Sequence, residues 1–159
     1  MGIPRTVDAY LGEAKVAYDL LDHPPTFRSQ ETALSAKVPP RRLAKAVVLR
    51  DRRSRRPVMA VLPADSHLEL RWLRDELGLD LQLAEEHELE GLFPDCRPGA
   101  VPPFGEAYNL TTIWDQSLVN QPDLYFEAGD HEHLIHLGQA GLSRILRGQP
   151  HAIISSREH

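Results

Sequence analysis

Lys45 is the first residue whose type and setting suggest chemistry. The chain holds fifteen arginines but only three lysines, Lys15, Lys37 and Lys45. Lys15 falls on an expected exposed helix face, whereas Lys45 opens the apolar run Ala46-Val47-Val48-Leu49. An ammonium at the start of a buried strand acquires an anionic partner or a lowered pKa, because burial penalises its charge. The ordinary alternative is a stem that snorkels and leaves its head in water. A second place is the stretch Arg97-Pro98-Gly99-Ala100-Val101-Pro102-Pro103-Phe104-Gly105. Its prolines fix the backbone and its glycines admit close neighbours. Such a loop could aim backbone N–H groups at developing negative charge, or it could be purely structural. A third is Gly129-Asp130-His131-Glu132-His133, followed by His136. Its histidines and acids raise the question of a metal. On a strand, however, His133 and His136 face opposite sides, and no third ligand joins His131 and His133. No metal is expected. A single histidine that orients a ligand fits better, beside the plainer reading of a polar surface turn.

Other signatures of catalysis are missing. There is no Gly-x-Gly-x-x-Gly or Walker-type loop to cradle phosphates and no Gly-x-Ser-x-Gly elbow, so no cofactor is expected. Cys96 lies beside Arg97, which can lower a thiol pKa, but a lone cysteine next to a proline-rich loop reads as incidental. Asp95 and Glu106 flank the loop without forming an evident carboxylate pair.

These residues need elements to position them. Val7, Tyr10, Leu11, Ala14, Tyr18 and Leu21 recur at helical spacing, which predicts an amphipathic helix over 7–21, stopped at His23-Pro24-Pro25. Ser29 is the expected cap of a helix running to about Ala36, with Thr32 in the place of a capping-box Glu or Gln. Lys45–Arg50 and Val58–Pro63 read as paired strands, covered on both faces, around an arginine-rich hairpin loop. Ser66 is the expected cap of a helix through Leu70, Leu73 and Leu77, ended by Gly78. Short elements follow at 81–83 (strand) and 85–91 (helix), then the loop 94–105. Strands are expected at 111–115, 124–128 and 134–137, and a last helix at 139–147. Strands and helices without strict alternation predict an α+β fold around a mixed sheet.

The chain has 159 residues and a formal charge of 18 − 23 = −5. Neither repeats nor low-complexity linkers interrupt it, so residues 1–159 read as one unit. A single cysteine permits no internal disulfide. With no apolar run near the roughly 20 residues of a membrane span, this predicts a cytoplasmic protein without membrane contact. The acidic balance argues against indiscriminate coating of nucleic acid. Charge is nonetheless segregated. Eight basic residues and one acid lie between Arg41 and Arg56, whereas ten acids and two arginines lie between Asp65 and Asp95. The basic segment is either a solvated hairpin tip or a polyanion-facing edge.

The same three places carry a family likeness. Leu43-Ala44-Lys45-Ala46-Val47-Val48-Leu49, the G-x-x-x-P loop Gly99-Ala100-Val101-Pro102-Pro103 continued by Phe104-Gly105, and the G-x-x-x-H motif Gly129-Asp130-His131-Glu132-His133 together resemble the YbaK / prolyl-tRNA synthetase-associated domain family of aminoacyl-tRNA deacylases. His23-Pro24, Pro63-Ala64-Asp65 and Trp114-Asp115-Gln116-Ser117-Leu118 agree with it, and the likeness covers roughly residues 20–147. Gly138-Gln139 stands where the family often has Ser-Pro. The resemblance implies a mixed, partly closed β-barrel-like sheet surrounded by helices. It also implies hydrolysis, in trans, of the ester between a wrong amino acid and the tRNA acceptor end, which a synthetase pocket cannot prevent for small or isosteric amino acids. On that likeness Lys45, Gly99, Gly129 and His133 are the expected catalytic residues. Ala100, Val101, Pro102, Pro103 and Phe104 would bind the aminoacyl end, and the substrate's ribose hydroxyl would help activate water. Arg52, Arg53 and Arg55 would meet acceptor-stem phosphates, with no DNA as partner and a synthetase as a further one. The same features would also suit a non-catalytic protein that binds tRNA ends or a synthetase.

Overall fold

The structure is a computed structural model that describes residues 3–157. In chain order its elements are α1 (Arg5–Glu13), β1 (Asp19–Asp22), α2 (Ser29–Ala36), β2 (Leu43–Asp51), β3 (Pro57–Pro63), β4 (Ser66–Leu68), α3 (Leu70–Leu77), β5 (Leu81–Leu83), α4 (Glu86–Leu92), β6 (Thr111–Asp115), α5 (Gln116–Val119), β7 (Leu124–Glu127), β8 (His133–Leu137), α6 (Gln139–Leu146), β9 (His151–Ala152) and β10 (Ser155–Arg157). Short 3-10 turns sit at Pro40–Arg42 and Gly105–Tyr108.

The β2–β3 hairpin is the centre, paired antiparallel from Ala44 with Pro63 to Arg50 with Pro57. The unbroken apolar run of β3 has a physical reason, because both of its faces are covered. Val58, Ala60 and Leu62 pack with Leu73, Leu81, Ile113 and Ile154. Met59 and Val61 pack with Phe104, Trp114 and Phe126. Around this hairpin the main sheet runs β1-β8-β7-β2-β3-β6-β9, and β4 and β10 form a separate ribbon. The pairs β2/β7, β3/β6 and β6/β9 are parallel and the others antiparallel. Helices flank the sheet, giving the α+β architecture expected, as an open sheet with β1 and β9 at its ends.

One feature of this sheet opens a site. β2 pairs with β7 only through Leu43 and Ala44, and with β5 only through Leu49, Arg50 and Asp51. Between these ladders the edge of β2 is forked, and Lys45 is the first residue past the split.

Three local expectations are corrected. The helix expected over 7–21 ends at Glu13, and Asp19–Asp22 instead forms a strand on β8. Lys15 sits at φ +57, which breaks the helix and frees the following segment to satisfy the β8 edge. The cap of α2 is Arg28 rather than Ser29, without a side-chain cap bond, because the Thr32 N–H closes the first helical turn on the Arg28 carbonyl (2.9 Å). Ser66 begins β4 rather than capping α3, since Ser66–Leu68 pairs with Ser155–Arg157. That C-terminal ribbon, like β9, is too short to leave a periodic signal.

Candidate active site

Two adjoining cavities of about 360 Å³ each open at the fork and share Phe27, Glu86, Leu89, Gly99, Val101 and His131. The cavity against β2 is the more polar, with Lys45, Arg28, Thr26, Thr32 and Glu127 in its wall. The other is lined by Phe93, Pro94, Cys96 and Ala100. Of the sequence-predicted residues, the fold brings Lys45, Gly99, Ala100 and Val101 to this cleft.

Two hydrogen bonds join the proline loop to the turn before β8, and a third closes the loop on itself. The Arg97 N–H donates to the Gly129 carbonyl (2.8 Å), the Ala100 N–H closes a turn on the Arg97 carbonyl (3.0 Å), and His131 Nε2 lies 2.7 Å from the Pro98 carbonyl. Pro102 and Pro103 have no N–H, and that of Ala100 is engaged. Oxyanion donors from Gly99–Pro103 are therefore limited to the N–H groups of Gly99 and Val101. Gly99 has φ +79, and a Cβ there would stand 3.7 Å from the His131 ring. Pro102, Pro103 and Phe104 are buried behind the loop. The Phe104 ring packs on Phe126 with centroids 4.7 Å apart, so these three residues hold the loop from behind rather than line the cleft.

His131, in the sequence only a candidate metal ligand, is the histidine of this cleft. It is buried, at φ +66, and lines both cavities. A carbonyl can only accept, so Nε2 is a donor, and in the matching tautomer Nδ1 presents a lone pair. Phe27, 75 % exposed at the mouth of the cleft, packs on this ring with centroids 4.6 Å apart. His133 lines neither cavity. It begins β8 opposite Asp22, with Nε2 3.0 Å from the Asp22 carboxylate and Nδ1 on that of Asp130. Burial raises the Asp130 pKa, but the Glu132 N–H and the His133 ring and N–H outweigh it and hold the carboxyl below its ordinary range. The signal that could have separated the two histidines is the onset of strand pairing at 133, which strand periodicity alone does not mark.

Gly129 supports the site from behind. Its φ is +124, and a Cβ would meet Pro4 Cγ at 2.6 Å and Cys96 Sγ at 3.1 Å. Glu127 was not singled out in the sequence, yet its Oε2 accepts the N–H groups of Gly129 (2.8 Å), Asp130 (3.2 Å) and His131 (3.3 Å). Cys96 is no nucleophile, since burial pushes its thiol up to about 12. Among the described residues no group of three or more His, Cys, Asp or Glu side chains is arranged to hold a metal ion. Arg52, Arg53 and Arg55 are exposed on the hairpin turn, which the Asp51 carboxylate braces by accepting from the Ser54 and Asp80 N–H groups. They line neither cavity and lie about 20 Å from Lys45 along β2, at ~3.3 Å per residue.

The sequence profile of the aminoacyl-tRNA editing domain matches residues 23–145, a span that holds every element of this cleft. The chain belongs to the aminoacyl-tRNA editing domain family. This editing domain is 26 % identical over 152 residues to the prolyl-tRNA editing protein ProX of Acetoanaerobium sticklandii, covering 92 % of each chain. It superposes on a crystal structure of a candidate trans-editing enzyme for prolyl-tRNA synthetase with a TM-score of 0.79 at 20 % identity, covering 98 % of this chain and 96 % of that one. The hypothetical protein APE2540 gives a TM-score of 0.82 at 22 % identity, covering 96 % and 100 %. At these identities the two structures speak to the fold. No helix among the described residues is long and apolar enough to cross a membrane.

Proposed function

We propose that this editing domain removes a wrongly attached amino acid from tRNA, in trans, by hydrolysing the ester at the 3′-terminal ribose. The observation that carries the reading is the convergence of Lys45, the Gly99–Val101 backbone and His131 on one forked cleft within an editing-family chain. Lys45 holds the terminal phosphate and ribose by charge. The N–H groups of Gly99 and Val101 receive the tetrahedral oxyanion. A water adds to the ester carbonyl carbon and loses a proton, the carbon–oxygen bond to the ribose breaks, and the ribose oxygen takes a proton. The adjacent ribose hydroxyl assists that water, and His131 Nδ1 is placed to accept its hydrogen bond. Gly129 sets the turn that carries His131, and His133 anchors that turn to β1. Pro102, Pro103 and Phe104 keep the donor loop rigid. Arg52, Arg53 and Arg55 meet acceptor-stem phosphates. The name of the ProX relative supports tRNA for proline as the carrier, and a side cavity of about 360 Å³ suits a small amino acid.

The test is release of labelled amino acid from tRNA for proline mischarged with Ala, Cys, Ser or Thr, with wild type beside Lys45→Ala. Rapid release from one member, reduced at least about a hundredfold in the variant, is expected. Binding of tRNA without release of any amino acid would replace this reading with a non-catalytic tRNA-end binder.

A further inference from the structure

We infer that Glu127 recognises the α-ammonium of the aminoacyl group, so that the substrate class is the ester of an amino acid with a free, charged α-amino group. This rests on the deacylase reading above.

The register of the fork places Glu127. The β2/β7 ladder ends with Ala44 opposite Phe126. Lys45 and Glu127 are the next residues of these two parallel strands, and both line the polar cavity. In a parallel pair, residues in register project to the same face. A cation and a carboxylate therefore line one cavity where the two strands part. The carboxylate is held in place, because three successive N–H groups of the 129–131 turn end on its Oε2. Those bonds tie its orientation to the segment that carries His131 and engage Oε2 alone.

The neighbouring groups leave a matching gap. Thr26 Oγ1 lies 2.6 Å from Thr32 Oγ1, and the Thr32 hydroxyl donates to the Arg28 carbonyl. With its own proton so used, Thr32 accepts from Thr26, and neither hydroxyl has a proton left to donate to a ligand. This part of the wall thus accepts hydrogen bonds. It suits an ammonium, which brings three donors and no acceptor. Lys45 and Arg28 line the same cavity and supply positive charge for the phosphate. An aminoacyl-adenosine end carries both charges. A peptidyl or N-acylated ester lacks the first and would be a poor substrate, so the nascent chain on a working tRNA would be spared.

The experiment compares the aminoacyl-tRNA hydrolysed in the panel above with the α-hydroxyacyl-tRNA of the same side chain, in which a hydroxyl replaces the ammonium at nearly equal size. Wild type is expected to prefer the amino ester by about ten- to a hundredfold in kcat/KM, the range of a charge-assisted contact. Glu127→Gln keeps a carbonyl oxygen for the turn N–H groups, and in it that preference is expected to fall toward one. Equal rates for the two esters with wild type would overturn the inference, whatever the variant does. An unchanged preference in a folded Glu127→Gln would overturn it too, since a glutamate acting only through Lys45 slows both esters alike. If wild type hydrolyses no aminoacyl-tRNA, it is the deacylase reading that fails, which is a distinct result.

Discussion

The two ends of β2 carry positive charge in opposite ways. At the fork a single lysine, half-buried, lines a bounded cavity together with Glu127, Gly99 and Val101. At the hairpin, Arg52, Arg53 and Arg55 stand in water on a turn. Coulomb interactions are screened strongly at the second place and weakly at the first. A charge in a cleft can therefore discriminate between ground state and transition state, whereas exposed charges add affinity that salt removes. Count is a poor guide to leverage: three arginines outside are expected to matter less to the reaction than one lysine inside.

Variants separate the two ends of β2. The largest effect after Lys45→Ala is expected from His131→Ala, a loss of about a hundredfold in kcat. His133→Ala should keep activity within about threefold, measured in the same release assay, because that ring faces Asp22 and Asp130 rather than the cleft. Equal losses from both would erase the distinction between turn and strand.

Gly105→Ala tests the scaffold behind the donor loop. A Cβ there would stand 2.1 Å from Thr112 Oγ1 and 3.2 Å from Met59. Thermal unfolding should show a loss of about 3 kcal/mol, or ~6–12 °C in Tm. A smaller effect is expected when Arg52, Arg53 and Arg55 are all changed to Gln. KM for charged tRNA should rise several-fold with kcat unaltered, and the log–log salt slope of tRNA binding should fall by about two to three. An unchanged slope would make the hairpin a solvated tip and no more.

The smallest effect concerns Asp130, whose folded pKa lies below its unfolded value. Its contribution is present above about pH 4 and is lost as pH falls through the folded pKa. Chemical denaturation of Asp130→Asn should show a deficit on the order of 0.5 kcal/mol near neutrality, given solvent screening. That deficit should shrink as the pH drops below about 4.

Much of the frame was legible in the residues. The hairpin strands were visible because a double-covered strand must be apolar without interruption. The first helix was over-extended because Tyr18 and Leu21 keep the helical spacing although their segment pairs with β8. Local pattern cannot report an edge that a distant strand must fill. The motif residues Lys45, Gly99 and Gly129 were legible by type, since charge at a strand start and glycine in a loop are local facts.

Which of these groups meet was settled by the fold alone. The cleft exists because β2 exchanges one neighbour for another between Ala44 and Leu49, and nothing in its own sequence encodes that exchange. The choice between His131 and His133 depends on where β8 begins to pair, and the place of Glu127 on the register of two strands some eighty residues apart. Sequence determined the chemical groups and their local geometry, because these follow from side-chain type and backbone preference. Tertiary structure decided which of them share a cavity, because that depends on long-range pairing.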